Sequence, residues 1–123
     1  MPFIVTVERT LQYVRFNVTG SACLMNYFDL IEGAARETVT DGDTLAMVDL
    51  RQVLGRLSFT DQFFIGEIVG EKLAHIRKLA SLVADDPDSY NSAKVANRKG
   101  VNLRSFDSEE RAIAWLREPA PAA

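Results

Sequence analysis

The sequence has little of what disulfides, metal centres and membrane spans require. Its 123 residues include one Cys and one His. One Cys cannot form an internal disulfide or a cysteine-based zinc cluster, and His75 has no second His with which to share a metal ion. No run of about 18 consecutive apolar residues predicts a membrane span. We therefore expect no metal, no cofactor and no membrane-spanning segment.

The charge balance gives no general attraction to nucleic acid, since the net charge is -3 at pH 7. The N-terminus has no basic segment followed by an apolar one, so no signal peptide is predicted and the cytoplasm is the expected location. An apolar fraction of 47% is ordinary for a globular chain. We expect one domain over residues 1–118 and a flexible tail over 119–123.

Hydrophobic patterning predicts alternating strands and helices. Two strands rich in β-branched and aromatic residues are close enough to form an antiparallel hairpin, and compact apolar runs predict three more. The expected strands are 3–9, 11–19, 44–50, 79–84 and one around 103–106. Helices are expected over 22–38, about 60–75, a short stretch ending near Lys99, and from 109 onward. The order β-β-α-β-α-β-α-β-α indicates an α/β domain with a mixed, mostly parallel sheet.

Polar residues mark the predicted helix starts. Ser21 is the expected cap of the first helix, and Ser58 or Thr60 that of the second. Asp107 or Ser108 is expected to cap the last. In the first helix, one apolar face is expected to comprise Leu24, Phe28, Ile31 and Ala35. An acidic turn over 85–89 should open the third helix.

Chemically reactive residues are few, and each has a structural interpretation. Cys23 is favoured as a small packed side chain, His75 as a polar residue at a helix end, and Trp115 as a core anchor. No nucleophile lies near an identifiable base, so no catalytic residue is predicted.

Asp49 is the sharpest candidate, because it is expected at the carboxyl end of a central parallel strand, where open α/β sheets place ligand crevices. A structural role, such as pairing with Arg51, is favoured over binding a ligand.

Basic residues cluster near two helix ends and after the last glycine. Compensation of helix dipoles is favoured over binding of an anionic partner. The residues are Arg77, Lys78, Arg98, Lys99 and Arg104.

The segment 53–65 is unusually apolar for a connection followed by a helix. Ile68, Val69 and Leu73 already supply an inward stripe, so the surplus is expected to cover a pocket, form a subunit interface or fill the core. With Asp49, the candidate ligand or interface residues are Leu54, Leu57, Phe59, Phe63 and Phe64.

Three stretches together resemble one family. They are MVDL at the predicted central strand, VADDPDSYNSAKVANRKGVNLRSF, and the ending RSFDSEERAIAWL. In this order they are similar to the SpoIIAA-like, or STAS/SEC14-related, family of small bacterial domains. The resemblance implies a right-handed βα superhelix with a five-stranded mixed sheet.

The resemblance also implies regulatory and binding roles. Relatives of the anti-sigma-factor-antagonist type are phosphorylated where the second helix opens, in a motif similar to Asp-Ser-Ser-Gly. Ser58 and Thr60 lie in that region, but this chain has Leu57-Ser-Phe-Thr-Asp61 and no Gly after the hydroxyl residue.

We therefore expect a non-enzymatic interaction module that acts through protein–protein contact as a homodimer. The alternative is a carrier or sensor of a small apolar ligand, as the SEC14-like relatives suggest.

Overall fold

Strands and helices alternate after an opening hairpin. The computed structural model describes residues 2–84 and 91–119, so the predicted acidic turn at 85–89 and most of the predicted tail lie outside the described residues. The strands are β1 (Ile4–Arg9), β2 (Val14–Ser21), β3 (Leu45–Leu54), β4 (Lys78–Leu82) and β5 (Leu103–Phe106). The helices are α1 (Leu24–Asp41), α2 (Phe59–Lys72), α3 (Asn91–Arg98) and α4 (Glu109–Arg117).

One five-stranded sheet connects these elements, in the order β1-β2-β3-β4-β5. β1 is antiparallel to β2, and the other neighbouring pairs are parallel. The predicted α/β class with a mixed, mostly parallel sheet is confirmed.

Two apolar clusters cover opposite faces of the sheet. The larger one joins α1, α2 and α3 to the sheet through residues such as Phe16, Ile31 and Ile65. The smaller one packs Met47 against Trp115, which confirms Trp115 as the core anchor of α4. We call these sides the three-helix face and the α4 face. Strands β3 and β4 are therefore covered on both sides.

The outermost strand, β1, is exposed along all six of its residues. Its backbone pairs with β2. At its end, the Arg9 guanidinium forms ion pairs with Glu37, Asp41 and Asp43 at the far end of α1. These ion pairs link the edge strand to the C-terminal end of α1 and the turn after it.

The start of α1 differs from the sequence prediction. Cys23 is its N-cap, because Cys23 Sγ accepts a hydrogen bond of 3.4 Å from the backbone N–H of Asn26. Ser21 ends β2 instead, so its assignment as the cap was wrong. The buried face is also displaced: Leu30 and Ala34 are buried, whereas Phe28 is exposed.

The other described caps follow the sequence more closely. Ser58 Oγ accepts a hydrogen bond of 3.1 Å from the N–H of Asp61 and caps α2. Thr60 lies inside the helix, so it is not the cap. Ser108 rather than Asp107 caps α4.

Lys78 has a role that its position in the sequence did not suggest. It is buried, with 5% of its surface exposed, and its Nζ donates to the carbonyls of Trp115 and Glu118 at 2.7 and 2.6 Å. Lys78 therefore donates hydrogen bonds to backbone carbonyls at the C-terminal end of α4. Arg104 stacks over Trp115 on the α4 face. The disfavoured alternative, one basic patch for an anionic partner, cannot include Lys78, because Lys78 is buried.

Gly70 in α2 allows a close approach to the residue that follows α3. A Cβ at this position would lie 2.4 Å from Lys99 Cβ and 2.8 Å from its Cγ. Any side chain on Gly70 would have to displace the residue that follows α3.

Replacing Gly70 tests this contact against helix propensity. We expect Gly70→Ala to lower the free energy of unfolding by about 1–3 kcal/mol, because overpacking outweighs the better helix former. Gly33→Ala in α1 is the matched control: no atom lies within 4 Å of its added Cβ, so a gain of up to about 1 kcal/mol is expected. Urea unfolding measures both. Equal gains in the two variants would contradict the close contact.

Lys78→Met tests the carbonyl pairing. The variant keeps the apolar stem but removes the ammonium, which takes this donor from the Glu118 carbonyl and leaves the Trp115 carbonyl with the backbone N–H of Glu118. We expect a loss of about 2–3 kcal/mol in the free energy of unfolding. The control is Lys72→Met, which breaks an exposed ion pair of 3.3 Å with Glu32 and should cost about 0–1 kcal/mol. Similar losses in both variants would argue against a special role for Lys78.

Candidate functional site

Much of the apolar surplus of segment 53–65 lies on the surface. The exposed fractions are 62% for Leu54, 62% for Phe59, 37% for Phe63 and 52% for Phe64. Ile65 is buried in the core, and Leu57 is only partly exposed. Core packing therefore does not explain the four exposed residues Leu54, Phe59, Phe63 and Phe64.

Three phenylalanines share the outer side of the first turns of α2, and we call them the α2 aromatic face: Phe59, Phe63 and Phe64. Phe59 and Phe63 are four residues apart, and their ring centroids lie 4.8 Å apart. The opposite side of the helix packs Ile68 and Val69 into the three-helix face. The aromatic rings thus stand on a helix whose other side is fixed by core packing.

Both candidate phosphoacceptors adjoin this face. Ser58 and Thr60 are exposed, on either side of Phe59. The Ser58 hydroxyl already accepts the Asp61 N–H, and the Asp61 side chain adds a negative charge in the first turn.

A separate cavity of about 210 Å³ lies between the sheet and the helices α1 and α2. Of the residues proposed from sequence as ligand contacts, Leu57 borders it, whereas Leu54, Phe59, Phe63 and Phe64 do not. The lining is mostly apolar and comes from β3, β4, β5 and the two helices. It includes Ile31, Val48, Leu50, Val53, Val69 and Leu79.

Asp49 lies on the other side of the sheet, in an ion-pair network on the α4 face. Its carboxylate accepts bonds of 3.0 and 2.9 Å from Arg51 Nε and Nη2, so the expected pairing with Arg51 is present. It also accepts a bond of 2.8 Å from Arg15, which pairs in turn with Glu109 at the start of α4. The network joins β2, β3 and α4.

The pKa of Asp49 reflects these contacts. Burial alone would raise it, but the hydrogen bonds and charge of Arg51 and the charge of Arg15 outweigh burial and hold the pKa below its ordinary value. Asp49 is not at a strand end, because β3 continues five residues beyond it to Leu54. The predicted position was wrong, and the cavity lies across the sheet.

The remaining candidates are held by local contacts. His75 is exposed, and its Nε2 lies 2.7 Å from Thr38 Oγ1. Cys23 is exposed as a helix cap, so the expectation of a small packed side chain was wrong. Within residues 2–84 and 91–119, no group of three or more His, Cys, Asp or Glu side chains is placed to hold a metal ion, and no helix is long and apolar enough to span a membrane.

Comparison with known proteins bears on the fold. No family model matches the chain, and no curated protein matches it. A solved structure from Shewanella loihica PV-4, an uncharacterized protein of the DUF3478 family with a SpoIIAA-like fold, is similar over 94% of this chain and 93% of its own. The TM-score is 0.60 at 19% sequence identity. This chain has a SpoIIAA-like fold.

A second solved structure with this fold has a regulatory description. It is an anti-sigma factor antagonist from Mycobacterium paratuberculosis, similar over 94% of this chain and 95% of its own, with a TM-score of 0.57 at 15% identity. The SpoIIAA-like architecture expected from the three sequence stretches is therefore confirmed.

The sequence did not reveal the polar residues that line the cavity of this SpoIIAA-like domain. Tyr27, Ser81 and Ser105 border it from α1, β4 and β5. The signal available in the sequence was weak: Ser81 interrupts the apolar stretch LASLV, and Ser105 lies between Arg104 and Phe106 in LRSF.

Asp49→Asn tests the ion-pair network. We expect the substitution to lower the free energy of unfolding by about 2 kcal/mol at pH 7, because hydrogen bonds to a charged group are lost. The folded-state pKa is depressed, so the wild-type carboxylate contributes fully above its ordinary value of 3.8 and loses that contribution as the pH falls through the lower folded-state value.

The difference between Asp49→Asn and wild type should therefore shrink as the pH is lowered below 3.8. Urea unfolding as a function of pH provides the measurement. The control is Asp29→Asn, on the exposed part of α1. A difference that does not change with pH would show that Asp49 acts through shape rather than charge.

Proposed function

We propose that this domain is a non-enzymatic regulatory module that acts through protein–protein contact, and that its partner binds the α2 aromatic face. The observation that carries the proposal is the exposure of Phe59, Phe63 and Phe64 on adjacent turns of one helix. Aromatic side chains supply large contact area and are enriched at protein interfaces. The likeness to an anti-sigma factor antagonist supports a regulatory role.

The helix is suited to present these rings. Core packing fixes the side of α2 that bears Ile65 and Val69, so the rings are held in position before a partner arrives. Ordering these side chains on binding then costs less conformational entropy than it would if they lay on a flexible loop. The partner is a different protein or a second copy of this chain, which would give the homodimer.

Phosphorylation is a proposed control of this contact. A phosphate on Ser58 or Thr60 would place negative charge beside Phe59 at the start of α2. The helix N-terminus favours such charge, whereas Asp61 opposes it. Added charge next to an apolar contact surface would weaken the binding of a partner that buries the aromatic rings.

A second function is favoured by the cavity. We propose that the domain also carries or senses a small, mainly apolar ligand in the space between the sheet and helices α1 and α2. A cavity of roughly 150 Å³ lined by apolar side chains is known to hold benzene, so 210 Å³ provides room for a slightly larger molecule.

Phe64→Ser and Phe63→Ser test the proposed contact. Both side chains are exposed, so each change should alter the free energy of unfolding by only about 0.5 kcal/mol. We expect the two together to abolish partner binding. The measurement is photocrosslinking in the native cell from a benzoyl-phenylalanine placed at position 59, with and without the two substitutions.

A photoreactive residue at Val39, which is exposed near the end of α1, is the matched control. Discrete crosslinked products from position 59 that are absent from position 39 and lost in the double variant would support the contact. A crosslinked product at twice the chain mass, matched by light scattering of the purified protein, identifies the partner as a second copy. Identical products from both positions would contradict the proposal.

A further inference from the structure

Two serine side chains stand together on the cavity floor. Ser81 on β4 and Ser105 on β5 are directly paired in the parallel register. Both border the cavity. Neighbouring strands are about 4.8 Å apart, so one ligand atom between the two hydroxyls is within reach of both.

Neither serine hydroxyl has a hydrogen-bond partner among residues 2–84 and 91–119. In the same residues, every side-chain polar atom without a partner is at least partly exposed. The two hydroxyls therefore retain contact with open space. On a surface lined by Val48 and Leu79, they are polar groups placed where a ligand can reach them.

Tyr27 is a third polar side chain at the cavity wall. Burial raises the pKa of its hydroxyl to about 12, so at neutral pH the group keeps its proton and remains a donor. Its ring is held edge-on against Phe3, with the ring centroids 5.0 Å apart. The hydroxyl thus belongs to a side chain fixed by packing.

The charged residues at the cavity are already engaged. Arg51 forms two hydrogen bonds with Asp49, and Arg56 has an interaction of its own. An anionic ligand would thus have to compete with Asp49 for the guanidinium of Arg51, whereas an uncharged ligand needs no counter-charge. The hydroxyls are suited to an uncharged polar group.

We propose that the cavity binds a small uncharged molecule with an apolar body about the size of one substituted aromatic ring, and with one hydroxyl-type end group that hydrogen-bonds to Ser81 and Ser105. The proposal rests on the second proposed function, to which it adds the ligand class and the residues that recognise it. It does not depend on the α2 aromatic face.

Two probes of the same shape distinguish binding of an apolar body in the cavity from hydrogen bonding to the two serines. 4-Methylphenol has a hydroxyl where 1,4-dimethylbenzene has a methyl group, so both test apolar binding and only the phenol tests the serines. Binding is measured by amide chemical-shift titration of the whole protein at neutral pH. We expect saturable shifts for both at residues lining the cavity, with the phenol binding about tenfold more tightly, as one or two good hydrogen bonds allow.

The variant Ser81→Ala with Ser105→Ala should bind both probes with equal affinity and leave the affinity for 1,4-dimethylbenzene unchanged. Thr40→Ala removes an exposed hydroxyl from α1 and should retain the tenfold preference. If the double variant does not fold, the single variants provide the same readout, each with about a threefold loss of preference.

The outcomes distinguish the inference from the function on which it rests. Failure of both probes to bind the wild type overturns the ligand-binding function itself. Equal binding of the two probes by the wild type overturns the role of the serines but leaves an apolar site. Tighter binding of 4-methylbenzoate than of 4-methylphenol overturns the uncharged ligand class.

Discussion

The burial of β3 and β4 on both faces is the constraint on which the rest of this domain depends. Successive side chains of a strand point to opposite faces, so each position in these strands is committed to one of two environments. Met47 and Asp49 face α4, whereas Val48 and Ser81 face the three-helix side. Asp49 and the cavity therefore lie on opposite faces of the same strands, and Arg51, which bonds to Asp49 and also borders the cavity, connects the two.

The order of elements was predictable because local patterning determines it. β-branched runs, helix-capping hydroxyls and acidic first turns all act within a few residues, and Ser58 and Ser108 do so here. The predictions that were wrong concerned features that depend on tertiary contacts. Lys78 looked like a surface cation at a helix end, but folding brings it to the carbonyls of α4, 37 and 40 residues along the chain.

The same limit applies to the ends of elements and to their buried faces. β3 continues past Asp49 because β2 supplies pairing partners as far as Leu54, and the sequence of β3 alone does not show this. Phe28 is exposed because the packing of α1 buries Leu30 and Ala34 instead. For the candidate sites, apolar surplus in segment 53–65 was readable from sequence. The cavity was not, since its wall combines residues from five elements.

The outermost position of β1 has a consequence for how the domain opens. The strand is covered by no helix, and its side chains are held by the ion pairs around Arg9 and by a hydrogen bond from Asn17 to Glu8, contacts near the surface that salt screens readily. Detaching β1 would uncover little core and would leave the parallel sheet from β2 to β5 intact. Release of β1 would turn β2 into a new sheet edge, with Val14, Phe16 and Val18 still packed beneath it.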